Sequence, residues 1–184
     1  GLSATEKLAE LCHIDKDKQV LVVGCGIGVT ACYLAEKHNC AVVGIDLSEH
    51  MVRRASERAR NKKVMDKVNF RVADAQYLPF KDFSFDIVTC ESVNAFISDK
   101  AKAMNEYVRV TKEGGYVGIN EVTWLQKPPQ DLVSYFHKIM GAEFLTANDG
   151  WRKLLENVGL REMQVEIHNT NLISQWVSEV RQFD

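Results

Sequence analysis

Three glycines at alternate positions, Gly24, Gly26 and Gly28, follow directly on the apolar run Val20-Leu21-Val22-Val23 and lead into Val29-Thr30-Ala31-Cys32-Tyr33-Leu34-Ala35. A residue without Cβ lets a ligand lie against the main chain itself. The helix-forming stretch that follows offers unpaired N–H groups and the positive end of a helix dipole. Together they form a cradle for a small molecule. Other residues capable of chemistry recur at similar junctions. They are Asp46 after an apolar run, Asp74-Ala75 after Val72, Cys90-Glu91-Ser92 after Thr89, and Asn120-Glu121 after Ile119.

These residues need a scaffold that brings five junctions to one edge. The run at 20–23 has no polar break, as in a strand buried on both faces of a parallel sheet. Further strands are predicted over 40–46, 68–72, 85–90 and 116–122. Helices are predicted over about 29–38, from the Ser48 N-cap with Met51, Val52, Ala55 and Ala59 on one face, and over about 99–110. Ser3-Ala4-Thr5-Glu6 reads as a capped start to a short amphipathic helix, and Thr111–Gly115 as a glycine-rich helix exit. Strands and helices alternating at this rhythm predict an α/β fold, a doubly wound, mostly parallel sheet with helices on both faces. In such sheets ligands bind beyond the carboxyl ends of the strands, where the strand order reverses. The candidate residues all fall at those ends.

Composition removes several alternatives. With 184 residues, 46% hydrophobic and 26% charged, the chain fits one domain with a sizeable core. A net charge of −2 argues against a nucleic-acid partner. The basic cluster Arg53, Arg54, Arg58, Arg60, Lys62 and Lys63 is interleaved with Glu57. It reads as the solvated back of an amphipathic helix. No apolar run is long enough for a membrane span, and the first residues do not form a signal peptide. Five cysteines without a CxxC pair predict reduced thiols of a cytoplasmic protein and no metal site.

Asp46 lies about 20 residues past the glycine loop, the position from which a carboxylate accepts from both hydroxyls of a ribose. Nicotinamide cofactors and S-adenosyl-L-methionine both satisfy that. The dinucleotide fingerprint, however, wants its third glycine at the sixth position of the loop. Here the glycines stand at the first, third and fifth positions, and the sixth is Val29.

At this point the sequence resembles the class I S-adenosylmethionine-dependent methyltransferases, and most of all the small-molecule branch typified by ubiquinone/menaquinone biosynthesis enzymes. The resemblance rests on Val23-Gly24-Cys25-Gly26-Ile27-Gly28, on Gly44-Ile45-Asp46-Leu47-Ser48 with Met51, and on Ala73-Asp74-Ala75 followed by Leu78-Pro79-Phe80 and Ser84-Phe85-Asp86. Arg109-Val110-Thr111-Lys112-Glu113-Gly114-Gly115 completes it, so that it covers roughly residues 18–124. It implies that Gly24, Cys25, Gly26 and Gly28 lie against the methionine part and ribose, that Asp46 holds the ribose hydroxyls, and that Leu47 lies against adenine. It further implies that Asp74 accepts from the adenine amino group and the Ala75 N–H meets a ring nitrogen. Cys90 would offer its carbonyl to the methionine ammonium, with Ser92 and Val93 beside it. The family commonly carries an acid two residues before the first glycine. This chain has Val22 there, which leaves the ammonium one carboxylate short.

The implied activity is methyl transfer to a small-molecule acceptor, releasing S-adenosyl-L-homocysteine. Positioning supplies much of such catalysis, so no catalytic residue is assigned. Glu91, Asn120, Glu121 and His137 are candidates for a base, should the acceptor need one. The other readings are a non-catalytic cofactor-binding partner subunit, kept open by Val22, and an NAD-dependent oxidoreductase. Within one domain of 1–184, residues 1–17 form a helical lid, 18–124 the cofactor core, and 125–184 the acceptor side. That last part comprises a helix carrying Leu132, Val133, Phe136, Ile139 and Met140, a helix from Asp149-Gly150-Trp151 to Gly159, a strand over 162–168 and an amphipathic helix over 171–184. The antiparallel strand that closes the family's sheet is missing from this chain, which predicts that the natural protein continues.

Overall fold

The computed structural model describes residues 1–168. The expected helix over 171–184 lies outside the described residues.

Helix α1 (Leu2–Leu11) is followed by β1 (Gln19–Val23), α2 (Val29–His38), β2 (Ala41–Asp46), α3 (Glu49–Lys62) and β3 (Val68–Val72). Then come β4 (Phe85–Glu91), a 3-10 turn at Asn94–Phe96, α4 (Lys100–Val110) and β5 (Thr111–Asn120). The strands form one sheet in the order β3-β2-β1-β4-β5, every neighbouring pair parallel. The chain builds outward from β1 to β3, then returns to the other side of β1 for β4. The strand order therefore reverses between β1 and β4, where Val22 pairs with Thr89 and Val23 with Cys90.

Pleat alternation divides the apolar residues of β1 between two cores. Val20 and Val22 face α1, α2 and the end of α3, among Ala9, Cys12, Ala31, Leu34, Ala35 and Ala59. Leu21 and Val23 face α4, with Met104 and Tyr107 fully buried among them. Several helix boundaries follow their local signals. The Ser48 hydroxyl accepts from Met51 N, Asp99 caps α4 through Lys102 N, and Asn39 closes α2 in the left-handed conformation.

Three expectations need correction. Ser3 is no cap: the Gly1 carbonyl already accepts from Ala4 N and Thr5 N, so the helix starts at Leu2. The glycine-rich stretch after α4 is not a separate turn. β5 begins at Thr111, opposite Phe85, and the register then slips so that Ile87 pairs with Tyr116. The alternating residues 162–168 form no strand, because no strand among the described residues lies beside them, and Val165 and Ile167 are exposed. Helix α5 (Gln130–Met140) buries none of its residues. The second acceptor-side helix is a π-helical turn, Ala147–Arg152, running into α6 (Lys153–Asn157), with Gly159 at its exit in the left-handed region. No helix among the described residues is long and apolar enough to cross a membrane.

Candidate functional site

The glycine loop leaves β1 at the point where strand order reverses. All three glycines have positive φ, 64° at Gly24, 52° at Gly26 and 79° at Gly28, but their surroundings differ. A Cβ on Gly24 would stand 2.3 Å from Val93 Cγ2, and one on Gly28 would stand 2.9 Å from Ala55 Cβ. These two let the loop pack against the turn after β4 and against α3. A Cβ on Gly26 would meet nothing within 4 Å. The middle glycine thus faces open space, and a ligand can approach the main chain there. Cys25 contributes no side chain to that space. Its thiol is buried in the core, its N–H donates to the Ile45 carbonyl at 2.7 Å, and burial, with Asp46 nearby, pushes its pKa up to about 12.

Asp46 ends β2 with both carboxylate oxygens in use. One accepts from Gly26 N and the other from Ser48 N, each at 2.9 Å. Ser48 caps α3 through its own hydroxyl, yet Asp46 also has a structural part. It pins the glycine loop to the start of α3, and its remaining lone pairs are the ones a ligand can use. Leu47, next in the chain, is 74% exposed at the rim. On the far side, Asp74 accepts from Gln76 N at 2.8 Å and from Gln76 Nε2, and Gln76 in turn accepts from Ser98 and from Asp99 N. The Ala75 N–H donates to no group among the described residues, which leaves a main-chain donor beside the Asp74 carboxylate.

The end of β4 forms the third wall. Cys90 is buried, with Tyr107 Oη 3.7 Å from its sulfur. Burial raises its pKa far above the thiol range, so it is no thiolate nucleophile and only its main chain bears on the site. Ser92 sits at φ 57°, rare for a residue with a side chain, and its N–H donates to the Asn120 carbonyl at 2.8 Å.

Glu91 and Glu121, adjacent to these, have separate surroundings. Glu121 Oε1 accepts from Val93 N at 2.7 Å, Asn94 N at 2.6 Å and Asn94 Nδ2 at 3.1 Å, capping the 3-10 turn. Its burial raises its pKa against the pull of those three donors. Glu91 instead accepts from Thr5 in α1, Thr30 in α2 and Asn120 in β5. His137 is exposed on α5.

Four contributors escaped the sequence reading: Thr5, Thr30, Asn94 and Tyr107. Asn94 is fully buried, accepting from Tyr107 Oη at 3.1 Å while donating to Glu121. Their partners lie 13 to 86 residues away, and no local signal in the chain announces such pairs. Arg109, quoted in a motif, gains a role. It donates to Glu106, to Asp82 and to the carbonyls of Leu78 and Phe80, fixing the loop between β3 and β4.

Two concavities of about 380 Å³ lie elsewhere, one between Ile27 and the basic side of α3, the other at the amino ends of the strands beside Asp86 and Lys112. Both have largely polar linings, part of which is already engaged within the protein. Arg58 donates to the Ile27 carbonyl, Lys62 pairs with Glu36, and Lys112 with Asp86. The cradle, an open groove at the strand ends, is the better candidate because it gathers main-chain donors and carboxylates from separate elements.

Comparison with known proteins identifies the family. Residues 21–119 match the family described as "Methyltransferase domain". An uncharacterized protein of Haemophilus influenzae is 30% identical over 177 residues, covering 95% of this chain and 70% of that protein. Methyltransferase GfsG of Streptomyces halstedii is 32% identical over 163 residues, covering 87% of this chain and 59% of that protein. Among solved structures, the YcgJ protein of Bacillus superposes with a TM-score of 0.80 at 23% identity, covering 97% of this chain and 77% of the other, a likeness of fold.

Proposed function

The chain belongs to the methyltransferase-domain family, class I enzymes that use S-adenosylmethionine, and on that premise we propose that its cradle binds this cofactor for methyl transfer to a small-molecule acceptor. The observation that carries the reading is the open space at Gly26, bordered by the Asp46 carboxylate and lying at the reversal of strand order. Neither the nicotinamide reading nor the non-catalytic reading is favoured by the family match.

The residues present fit the group. Gly24, Gly26 and Gly28 would bring the main chain against the methionine and ribose, Asp46 would accept from the ribose hydroxyls, and Leu47 would cover adenine. Asp74 and the Ala75 N–H would read the edge of the adenine ring. The Cys90 carbonyl, with Ser92 and Val93, would face the amino-acid end. When bound, the cofactor supplies a methyl group on a sulfonium whose positive charge makes it a ready leaving group. The chain's part is to hold donor and acceptor in line and exclude water. Glu121 and Asn120 are committed to the hydrogen bonds that shape the wall, so no base is assigned.

An apolar acceptor is supported by the exposed face of α5, with Leu132, Tyr135, Ile139 and Met140, and by exposed Phe96 at the 3-10 turn. A cytoplasmic setting is supported by five buried, unbridged cysteines.

Calorimetric titration with S-adenosylmethionine, S-adenosylhomocysteine and NADH tests the proposal, with Asp46→Asn as the control. The adenosyl ligands should bind the wild type in the micromolar range and the variant at least tenfold more weakly, about 1.4 kcal/mol. Binding of NADH alone would overturn the reading.

A further inference from the structure

We propose that Glu91 supplies the carboxylate that pairs with the ammonium of the cofactor's amino-acid end, in place of the acid missing at Val22. The inference rests on the cradle being an S-adenosylmethionine site. Val22 is 3% exposed and pairs with Thr89 across the reversal point. Alternate residues of a strand share a face, so Glu91 projects from the same face as Thr89 and Val22, one strand over and two residues nearer the ligand end. Its hydrogen bonds agree with that placement: Thr5 and Thr30 belong to the helices packed on the Val22 face.

The carboxylate is held firmly. Oε1 accepts from Thr5 Oγ1 at 3.1 Å and Thr30 Oγ1 at 3.3 Å, and Oε2 from Thr5 Oγ1 at 3.1 Å and Asn120 Nδ2 at 3.1 Å. All of these donors are neutral. Among the described residues no Lys, Arg or His stands within ion-pair distance of Glu91, whereas Glu6, Glu36, Glu106 and Glu143 each have such a partner. A half-buried carboxylate fixed by three side chains, without a cation, is organised to receive one. The Thr30 contact comes from the first turn of α2, directly after the glycine loop, so the charge stands beside the cradle. The Thr5 contact also means that α1 helps position the group that meets the ligand.

Glu91→Gln tests this, since it keeps the shape and acceptor oxygen and removes the charge. The probes are S-adenosylhomocysteine, which carries the ammonium, and 5′-methylthioadenosine, which keeps adenosine and thioether but has neither ammonium nor carboxylate. Titrated into the wild type and the variant, S-adenosylhomocysteine should weaken roughly tenfold or more. The affinity for 5′-methylthioadenosine should stay within about twofold, because that ligand makes no ion pair. Equal weakening of both ligands would make Glu91 a structural residue and overturn the proposal. So would an unchanged or tighter grip on S-adenosylhomocysteine. If the wild type bound neither ligand, the cofactor reading itself would fall, and an intact affinity for 5′-methylthioadenosine separates that case from failure of the Glu91 assignment.

Discussion

Two glutamates one strand apart, Glu91 and Glu121, meet different partners. Burial raises the pKa of Glu121 although three N–H donors favour the charged form. A carboxyl group with a raised pKa binds its proton more tightly in the folded protein than in the unfolded chain. Its contribution to stability is therefore present at low pH and is lost as pH rises from the unfolded value of 4.5 through the raised one. Glu121→Gln removes that titration and keeps an acceptor for Val93 N and Asn94 N. Thermal unfolding of the two proteins should give a melting temperature that favours the variant increasingly as pH rises above 4.5, and least at acid pH. A gap constant with pH would contradict the account. The identity of such residues was only partly legible. Asp46 stood out through its spacing, yet its bonds to Gly26 and Ser48 could not be read from type alone, because they depend on where the loop returns.

At the scale of elements, the glycine loop separates folding from binding within five residues. Gly24 and Gly28 serve packing against Val93 and Ala55, whereas Gly26 borders empty space. Gly26→Ala should cost only the left-handed backbone penalty of about 1–2 kcal/mol, measurable by denaturant unfolding, because its methyl group touches nothing. The same methyl occupies the ligand's side of the loop, so the affinity for S-adenosylhomocysteine should fall far more than the stability does. Unaltered affinity would place the ligand elsewhere. β1, β2 and β4 were legible because buried parallel strands are largely apolar runs, and the edge strand β3 because Val68, Phe70 and Val72 alternate with polar residues. The start of β5 was not. Gly114 and Gly115 look like a helix exit by type, but pairing of Thr111 with Phe85 draws them into a slipped register. Residues 162–168 show the opposite error, since alternation makes a strand only where a neighbouring strand supplies hydrogen bonds.

For the whole molecule, the order β3-β2-β1-β4-β5 gathers the ends of separate strands into one edge, and Glu91 couples that edge to α1, α2 and β5 at once. This arrangement could be anticipated from the positions of Gly24–Gly28, Asp46, Asp74 and Glu91 along the chain, because each ends or follows a strand of a parallel sheet. The acceptor side was far less legible, since an amphipathic helix such as α5 reads the same whether its apolar face is packed or, as here, half exposed beyond the packing of Phe136 on Trp124 and Phe144. The most direct test of the central claim is amide hydrogen exchange with and without S-adenosylhomocysteine. The account predicts slowed exchange in residues 24–28 and 74–76 and at the end of β4, with the basic side of α3 unchanged. Protection confined to α3 or to the amino ends of the strands, or none at saturating ligand, would contradict it.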